Sequence, residues 1–283
     1  HGPGRLVLVA TPIGNLGDLP PRAVEALRDA ALVCCEDTRR TGKLLQHAGV
    51  RAERLAVTNE HTEHARIAEV LDVLAAGRDV AVVTDAGTPG ISDPGERLVR
   101  AVVAAGGLVS AVPGPAALVM ALVVSGFDTT RFVFEGFLPR SGGDRTKRLA
   151  EVAAERRTVV LYEAPHRIER TVDDLASVCG PDRPVVLARE LTKLHEELWR
   201  GTLAEAARVD LPPVRGNGVA IDLFNGIERQ DMPADACAGR LQDAQLCQRF
   251  TASADQDDRT CCKIEKQRQE THGGSVCACA PDT

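Results

Sequence analysis

The chain has 283 residues, 44% of them apolar and 26% charged, with a formal charge of −6. That length can bury the core of one large or two modest domains, and the composition excludes a collagenous or wholly disordered chain. No run approaches the ~18 to 20 apolar residues of a membrane span, and the start lacks a signal peptide's basic-then-apolar order, so a cytoplasmic protein is expected.

The first residues, His1-Gly2-Pro3-Gly4, read as a tag remnant or fragment edge and are set aside. Nine cysteines are unevenly placed: Cys34, Cys35 and Cys179 in the body, and six beyond residue 230. None has the C-x-x-C spacing of a zinc site, so no metal is expected. The charge also divides unequally, with a net −2 up to Arg215 and a net −4 beyond it. Arg140, Arg145, Lys147, Arg148, Arg156 and Arg157 crowd one segment, either a phosphate-binding patch or a solvated helix face. With eight aromatic residues in the chain, base stacking is not the expected mode of contact.

In chain order, residues 6–10 read as a strand breaking into the loop T-P-I-G-N-L-G-D (11–18). Helical spacing follows over 21–31, then an apolar strand over 32–35 that ends in E-D-T-R (36–39). Residues 63–76 are helical and deliver the chain into a β-branched strand at 80–83. That strand breaks at once into D-A-G-T-P-G-I-S-D-P, residues 85–94. Gly87 and Gly90 lack a Cβ and let backbone approach a ligand, while Pro89 and Pro94 stiffen the loop. Asp85, Thr88, Ser92 and Asp93 add polar atoms at the strand's carboxyl end, where open α/β sheets bind ligands. A helix over 96–105, a strand over 108–112 and the turn P-G-P (113–115) complete a βα series with a mainly parallel sheet.

After a helix from Ala116 to about Gly126, a second α/β unit begins. Strands are expected at 131–134, 158–162 and 184–188, ending in G-F-L-P-R, Y-E-A-P-H-R (162–167) and R-E-L-T-K (189–193). Two such units facing each other would make a cleft. Residues 218–224 can form one more strand. From Ile227 onward only seven of 57 residues are Ile, Leu, Val, Met or Phe, without periodicity, which is the composition of a disordered tail or a shifted reading frame. Cys261, Cys262, Cys277 and Cys279 match no common zinc pattern.

T-P-I-G-N-L-G-D, E-D-T-R, D-A-G-T-P-G-I-S-D-P-G, P-G-P, E-G-F-L-P-R, Y-E-A-P-H-R and A-R-E-L-T-K occur in that order over about residues 5–216. The set resembles the tetrapyrrole methylase fold family, and within it the bacterial 16S rRNA cytidine 2′-O-methyltransferases. The resemblance implies two α/β domains, residues 5–119 and 120–226, with 227–283 outside the functional fold. It also implies S-adenosylmethionine in the interdomain cleft, 16S rRNA of the small ribosomal subunit as substrate, and a homodimer. Asn217 stands where the family has Glu, which puts that residue's part in ordering the last strand in doubt.

Carried over residue by residue, the cofactor contacts are Pro12, Asp85, Ala86, Gly87, Thr88, Ile91, Ala116, Ala117, Tyr162 and Glu163. Candidates for the base that deprotonates the hydroxyl are Asp37, Glu163, His166, Glu190 and Lys193, with Glu60 and His61 behind them. Each has a structural alternative: a Glu163–Arg167 ion pair, a helix cap by His166, a surface pair of Glu190 with Lys193. Arg39, Arg140, Arg167 and Arg189 are the substrate candidates, because the guanidinium fork suits phosphate oxygens. Two rival functions share the fold: carbon methylation of a tetrapyrrole, and a cofactor- or rRNA-binding protein inactive because of its altered C-terminus.

Overall fold

The first sheet is built from apolar strands, of which Leu32–Cys35 and Val80–Val82 at its centre are buried on both faces. The structure, a computed structural model, describes residues 2–59, 62–209 and 219–223. β1 (Arg5–Val9), β2 (Leu32–Cys35), β3 (Leu55–Val57), β4 (Val80–Val82) and β5 (Leu108–Val112) lie in the order β3-β2-β4-β1-β5, all parallel. Successive side chains alternate between two cores. Val7, Val9, Val33, Cys35 and Ala81 face α1 (Pro21–Asp29) and α2 (Thr38–His47), while Leu6, Leu32, Cys34, Val80 and Val82 face α3 (Glu63–Ala75) and α4 (Glu96–Ala104). Cys34 and Cys35 are thus packing residues, and burial raises the Cys34 thiol to about 11. Gly4, set aside from the sequence, is buried and donates its N–H to Leu74 O.

From β1 the chain crosses to one side of the sheet, to β2, and from β4 it crosses to the other, to β5. The order therefore reverses between β1 and β4, the position at which open α/β sheets bind ligands. There the two sequence loops meet: Thr11 N–H donates to Gly87 O at 2.8 Å and Gly87 N–H to Thr11 O at 3.0 Å.

The second sheet is mixed. β6 (Phe132–Phe137), β7 (Thr158–Glu163), β8 (Pro184–Arg189), β9 (Glu197–Thr202) and β10 (Val219–Leu223) take the order β6-β7-β10-β8-β9. Only β6 and β7 are parallel; β10 runs antiparallel between β7 and β8, and β9 pairs antiparallel with β8. One face is covered by α6 (Gly142–Ala154), α7 (Ile168–Cys179) and α8 (Leu203–Ala206), through Leu149, Val152, Val172, Leu175 and Leu203. The other face is covered by α5 (Ala117–Ser125), whose Leu118, Ala121 and Leu122 pack toward Val160, Tyr162 and Ala188. A boundary at residue 119 would cut α5, which belongs as a whole with the second sheet. The expectations for residues 227–283 and for Asn217 lie outside the described residues.

Candidate active site

A cavity of about 250 Å³ lies between the two sheets. Its first wall is the loop after β4, with Asp85, Ala86, Gly87, Thr88 and Ile91, and its second is the entry to α5, with Ala116 and Ala117. Gly87 has φ +92°, a conformation open to glycine and costly for a β-branched residue, and it is held there by the pairing with Thr11. Thr88 Oγ1 donates to Pro115 O at 3.0 Å and locks the two walls together. Tyr162 closes the second lobe's side: its hydroxyl accepts the Leu118 N–H at 2.8 Å, and its ring packs edge-on to Phe134 at 4.9 Å.

The lobes are held close. A Cβ on Gly14 would lie 2.4 Å from Lys193 Cγ and 2.9 Å from Leu191 O, so only glycine lets the loop after β1 reach the loop after β8. Ser92, Glu190 and Thr192 are the described non-glycine residues with left-handed backbone, at φ +57°, +50° and +66°. Ser92 and Glu190 line the cavity and Thr192 lies between the lining residues Leu191 and Lys193. Such strain persists where surrounding structure over-determines the chain, as it does at binding sites.

Of the cofactor candidates, Asp85, Ala86, Gly87, Thr88, Ile91, Ala116, Ala117 and Tyr162 line the cavity; Pro12 does not, its place being taken by Ile13. Glu163 is a correction. It is fully buried, Oε2 accepts from Thr171 Oγ1 at 2.6 Å, and Oε1 accepts from the Ala164 N–H at 2.8 Å and lies 3.2 Å from Arg167 Nε. The reason is strand parity. Val159, Leu161 and Glu163 point into the helix layer, whereas Val160 and Tyr162 point toward α5 and the cavity.

Among the base candidates, Glu190 and Lys193 line the cavity and pair with each other at 3.0 Å. Asp37 does not line it. It caps α2, accepting the Arg39 N–H at 2.8 Å, and the Arg39 guanidinium and this N–H hold its carboxyl down at about 2. His166 is exposed, within a 3₁₀ turn away from the cavity, and makes no side-chain cap of α7. Glu60 and His61 lie outside the described residues.

None of the four substrate arginines lines the cavity. Arg167 is committed to Glu163 and to Leu138 O, and the buried Arg189 to Glu197. Arg39 and Arg140 are exposed. In the basic segment Arg145 is another correction: it is 4% exposed and bonds Asp174, Pro139 O and the Thr171 hydroxyl. Its position explains this, since 145, 149 and 152 form the i, i+4, i+7 face that α6 buries. Arg148 pairs with Glu135, and Arg157 with Glu155.

Ile13, Glu36, Phe137, Ala188 and Leu191 also line the cavity without having been singled out in the sequence, and Ser92 and Asp93, noted there only as polar atoms of the loop, line it too. Glu36 at the end of β2 accepts the Asp85 N–H at 3.0 Å, and Arg40 Nε lies 3.4 Å from Asp85. Asp85 Oδ1 is buried without a hydrogen-bond partner among the described residues. Burial raises the carboxyls of Glu36 and Asp85 above their ordinary range. Asp93 is pushed up to about 7, first by burial and then by the charges of Glu36 and Asp85. The signal available was position: E-D-T-R and the S-D-P turn both follow strands of one parallel sheet, so their carboxylates emerge at one end. No three His, Cys, Asp or Glu side chains among the described residues could hold a metal together.

A ligand cavity at a topological switch point, closed by a second sheet, defines a class of two-lobed α/β enzymes. The chain belongs to the tetrapyrrole (corrin/porphyrin) methylases, whose pattern it matches over residues 5–207. It is 52% identical over 203 residues to a protein named Ribosomal RNA small subunit methyltransferase I from Synechocystis sp., covering 72% of each chain. It is 42% identical over 236 residues to the protein of that name from Escherichia coli O157:H7, covering 82% of each. Among solved structures, uroporphyrin III C-methyl transferase from Thermus thermophilus shares the fold at TM-score 0.56 and 21% identity, over 77% of this chain and 97% of that one.

Proposed function

We propose that this protein is an S-adenosylmethionine-dependent methyltransferase that methylates the 2′-oxygen of a cytidine ribose in 16S rRNA of the small ribosomal subunit, in the cytoplasm. The observation that carries the reading is the 42–52% identity, over most of both chains, to proteins named Ribosomal RNA small subunit methyltransferase I. Likeness to the tetrapyrrole enzyme is at 21% identity and extends to the fold alone. An inactive binding protein is disfavoured because β10 is in place, bonded on both sides in the second sheet.

The cavity suits such a cofactor. Ala86, Gly87, Ala116 and Ala117 leave room against backbone, and four carboxylates to one ammonium line the walls, a balance that favours a cation. S-adenosylmethionine supplies a methyl group already activated on a positively charged sulfur. The protein's part is to align the attacking hydroxyl, exclude water and accept a proton. For the rRNA phosphates, the exposed Arg140, Lys147 and Arg156 are the available cations, with Arg39 exposed but paired to Asp37 and Arg145 buried.

Purified 30S subunits lacking the modification should acquire one methyl group per 16S rRNA, located by mass spectrometry on a cytidine ribose. Arg140→Glu with Lys147→Glu should weaken subunit binding about tenfold and flatten its salt dependence, leaving cofactor affinity unchanged. A methyl found on a base, or a salt slope equal to the wild type's, would count against the reading.

The same reading includes a homodimer, and α5 supports it. The helix is apolar on all sides, as expected of a helix buried on all sides, yet one stripe faces out. Val123 is 59% exposed and Val119 one turn earlier 41%, and each sheet ends in an open edge with an exposed apolar residue, Leu108 on β5 and Phe132 on β6. Val123→Asp should convert a dimer into a monomer in sedimentation velocity. Identical sedimentation of the two proteins would exclude α5 from the interface.

A further inference from the structure

Resting on the methyltransferase reading, we infer that Asp93 is the catalytic base: its carboxylate accepts the proton of the attacking ribose hydroxyl. In this step the oxygen–methyl bond forms as the carbon–sulfur bond breaks. The bonding pair leaves with sulfur, which becomes a neutral thioether, and the hydroxyl proton passes to Asp93. Charge and atoms balance without any further reactant.

The geometry of the loop carries the assignment. Asp93 lines the cavity between Ser92, at φ +57°, and Pro94, whose ring fixes the backbone on the other side. The turn is closed by Gly90 N–H donating to Pro94 O at 3.1 Å, and its outer side is fitted to the second lobe. A Cβ on Gly136, at the bulge of β6, would come within 3.0 Å of Ser92 Oγ. The chain here is strained and clamped from both lobes, which holds one side chain in one place.

Each of the other nearby carboxylates has a charged or polar partner, although Asp85 Oδ1 is left without a hydrogen bond among the described residues. Glu36 holds the Asp85 N–H, Asp85 faces Arg40, Glu190 is paired with Lys193, Asp37 caps α2, and Glu163 is buried under the sheet. Asp93 has no hydrogen-bond or ion-pair partner among the described residues, and Glu36 and Asp85 repel its charge. A base poised near neutral pH combines ionisation with proton affinity better than one titrating at about 2, as Asp37 does. Burial first, then the charges of Glu36 and Asp85, set its titration; Arg40 beside Asp85 and the Glu190–Lys193 pair are the other charged groups around the cavity.

The test uses the full chain, with S-adenosylmethionine and 30S subunits. Asp93→Asn should bind both within about threefold of wild type, while the single-turnover rate falls about 100-fold or more. The wild-type rate should rise with pH and level off above about 7, and the variant's should be flat. Asp93→Glu should recover part of the lost rate. In the free wild-type protein, the ¹³C-labelled Asp93 carboxyl should titrate near 7, a readout that needs no turnover and no variant. Asp93→Asn retaining the wild-type rate and pH profile, an Asp93 carboxyl titrating at about 4, or a loss of cofactor affinity that accounts for the lost rate would each overturn the assignment. Wild-type protein that leaves 30S subunits unmethylated while binding S-adenosylmethionine overturns the rRNA reading, and this assignment with it.

Discussion

Glu163→Ala is expected to destabilise the protein by about 3 kcal/mol or more, because it strips a buried carboxylate from partners that remain. Thr171 Oγ1, the Ala164 N–H and Arg167 Nε all converge on this one fully buried group. For a chain of this size that corresponds to a fall in melting temperature of roughly 6 to 12 °C. Glu163→Gln keeps an acceptor oxygen and should lose about half as much. Denaturant melts of the two variants, read beside their methyl transfer per folded molecule, separate this from a role as base. A Glu163→Ala protein with wild-type stability and no activity would reinstate Glu163 as a catalytic candidate.

The second large effect belongs to the cofactor wall. Gly87→Val should lower S-adenosylmethionine affinity at least 100-fold, and calorimetry on the folded variant measures it. An added Cβ at Gly87 would sit 3.6 Å from Ile13 Cγ2, an ordinary contact, so the neighbours do not forbid it. The obstacle is the backbone: φ +92° costs a non-glycine residue about 1–2 kcal/mol, and a branched one more. Relaxing that angle moves the Gly87 N–H and C=O away from Thr11 and opens the two loops where they meet. Some loss of stability accompanies the loss of binding. Unchanged affinity in a folded Gly87→Val protein would remove this loop from the cofactor site.

What the sequence showed best were the places where local chemistry is extreme. The run from Val80 into glycines and prolines announces a strand ending in a rigid loop, and Gly87 occupies the conformation that required it. Where the reading failed, the missing quantity was direction or partnership. A charged residue at a strand end need not point into the cleft: period-2 alternation sets Glu163 with Leu161 and Val159, away from Tyr162. Arg145 was counted with its basic neighbours, although its spacing to Leu149 and Val152 marks the buried face of α6.

Other features have no local trace. Asp93 acquires its neighbours from Glu36, on a strand far earlier in the chain, and its environment exists only once β2 and β4 are adjacent. Likewise, the three residues of β3 carry too little periodicity to be seen, and the E-L-W-R-G-T of β9 has no apolar–polar alternation. The antiparallel insertion of β10 is a matter of topology, since its residues would suit an edge as well as a centre.

The position of β10 also orders events during synthesis. Every strand of the first sheet has emerged once Val112 is made, so that sheet can assemble early from neighbours close in sequence. The second cannot. β7 and β8 never touch each other; each waits beside a vacant lane for a strand encoded beyond residue 218. Until it arrives, two central strands offer unpaired amides and carbonyls to any extended segment nearby. The half of the enzyme that closes the cavity is therefore finished later and is the more exposed to mispairing, and the chain becomes competent for ligand only once β10 is made.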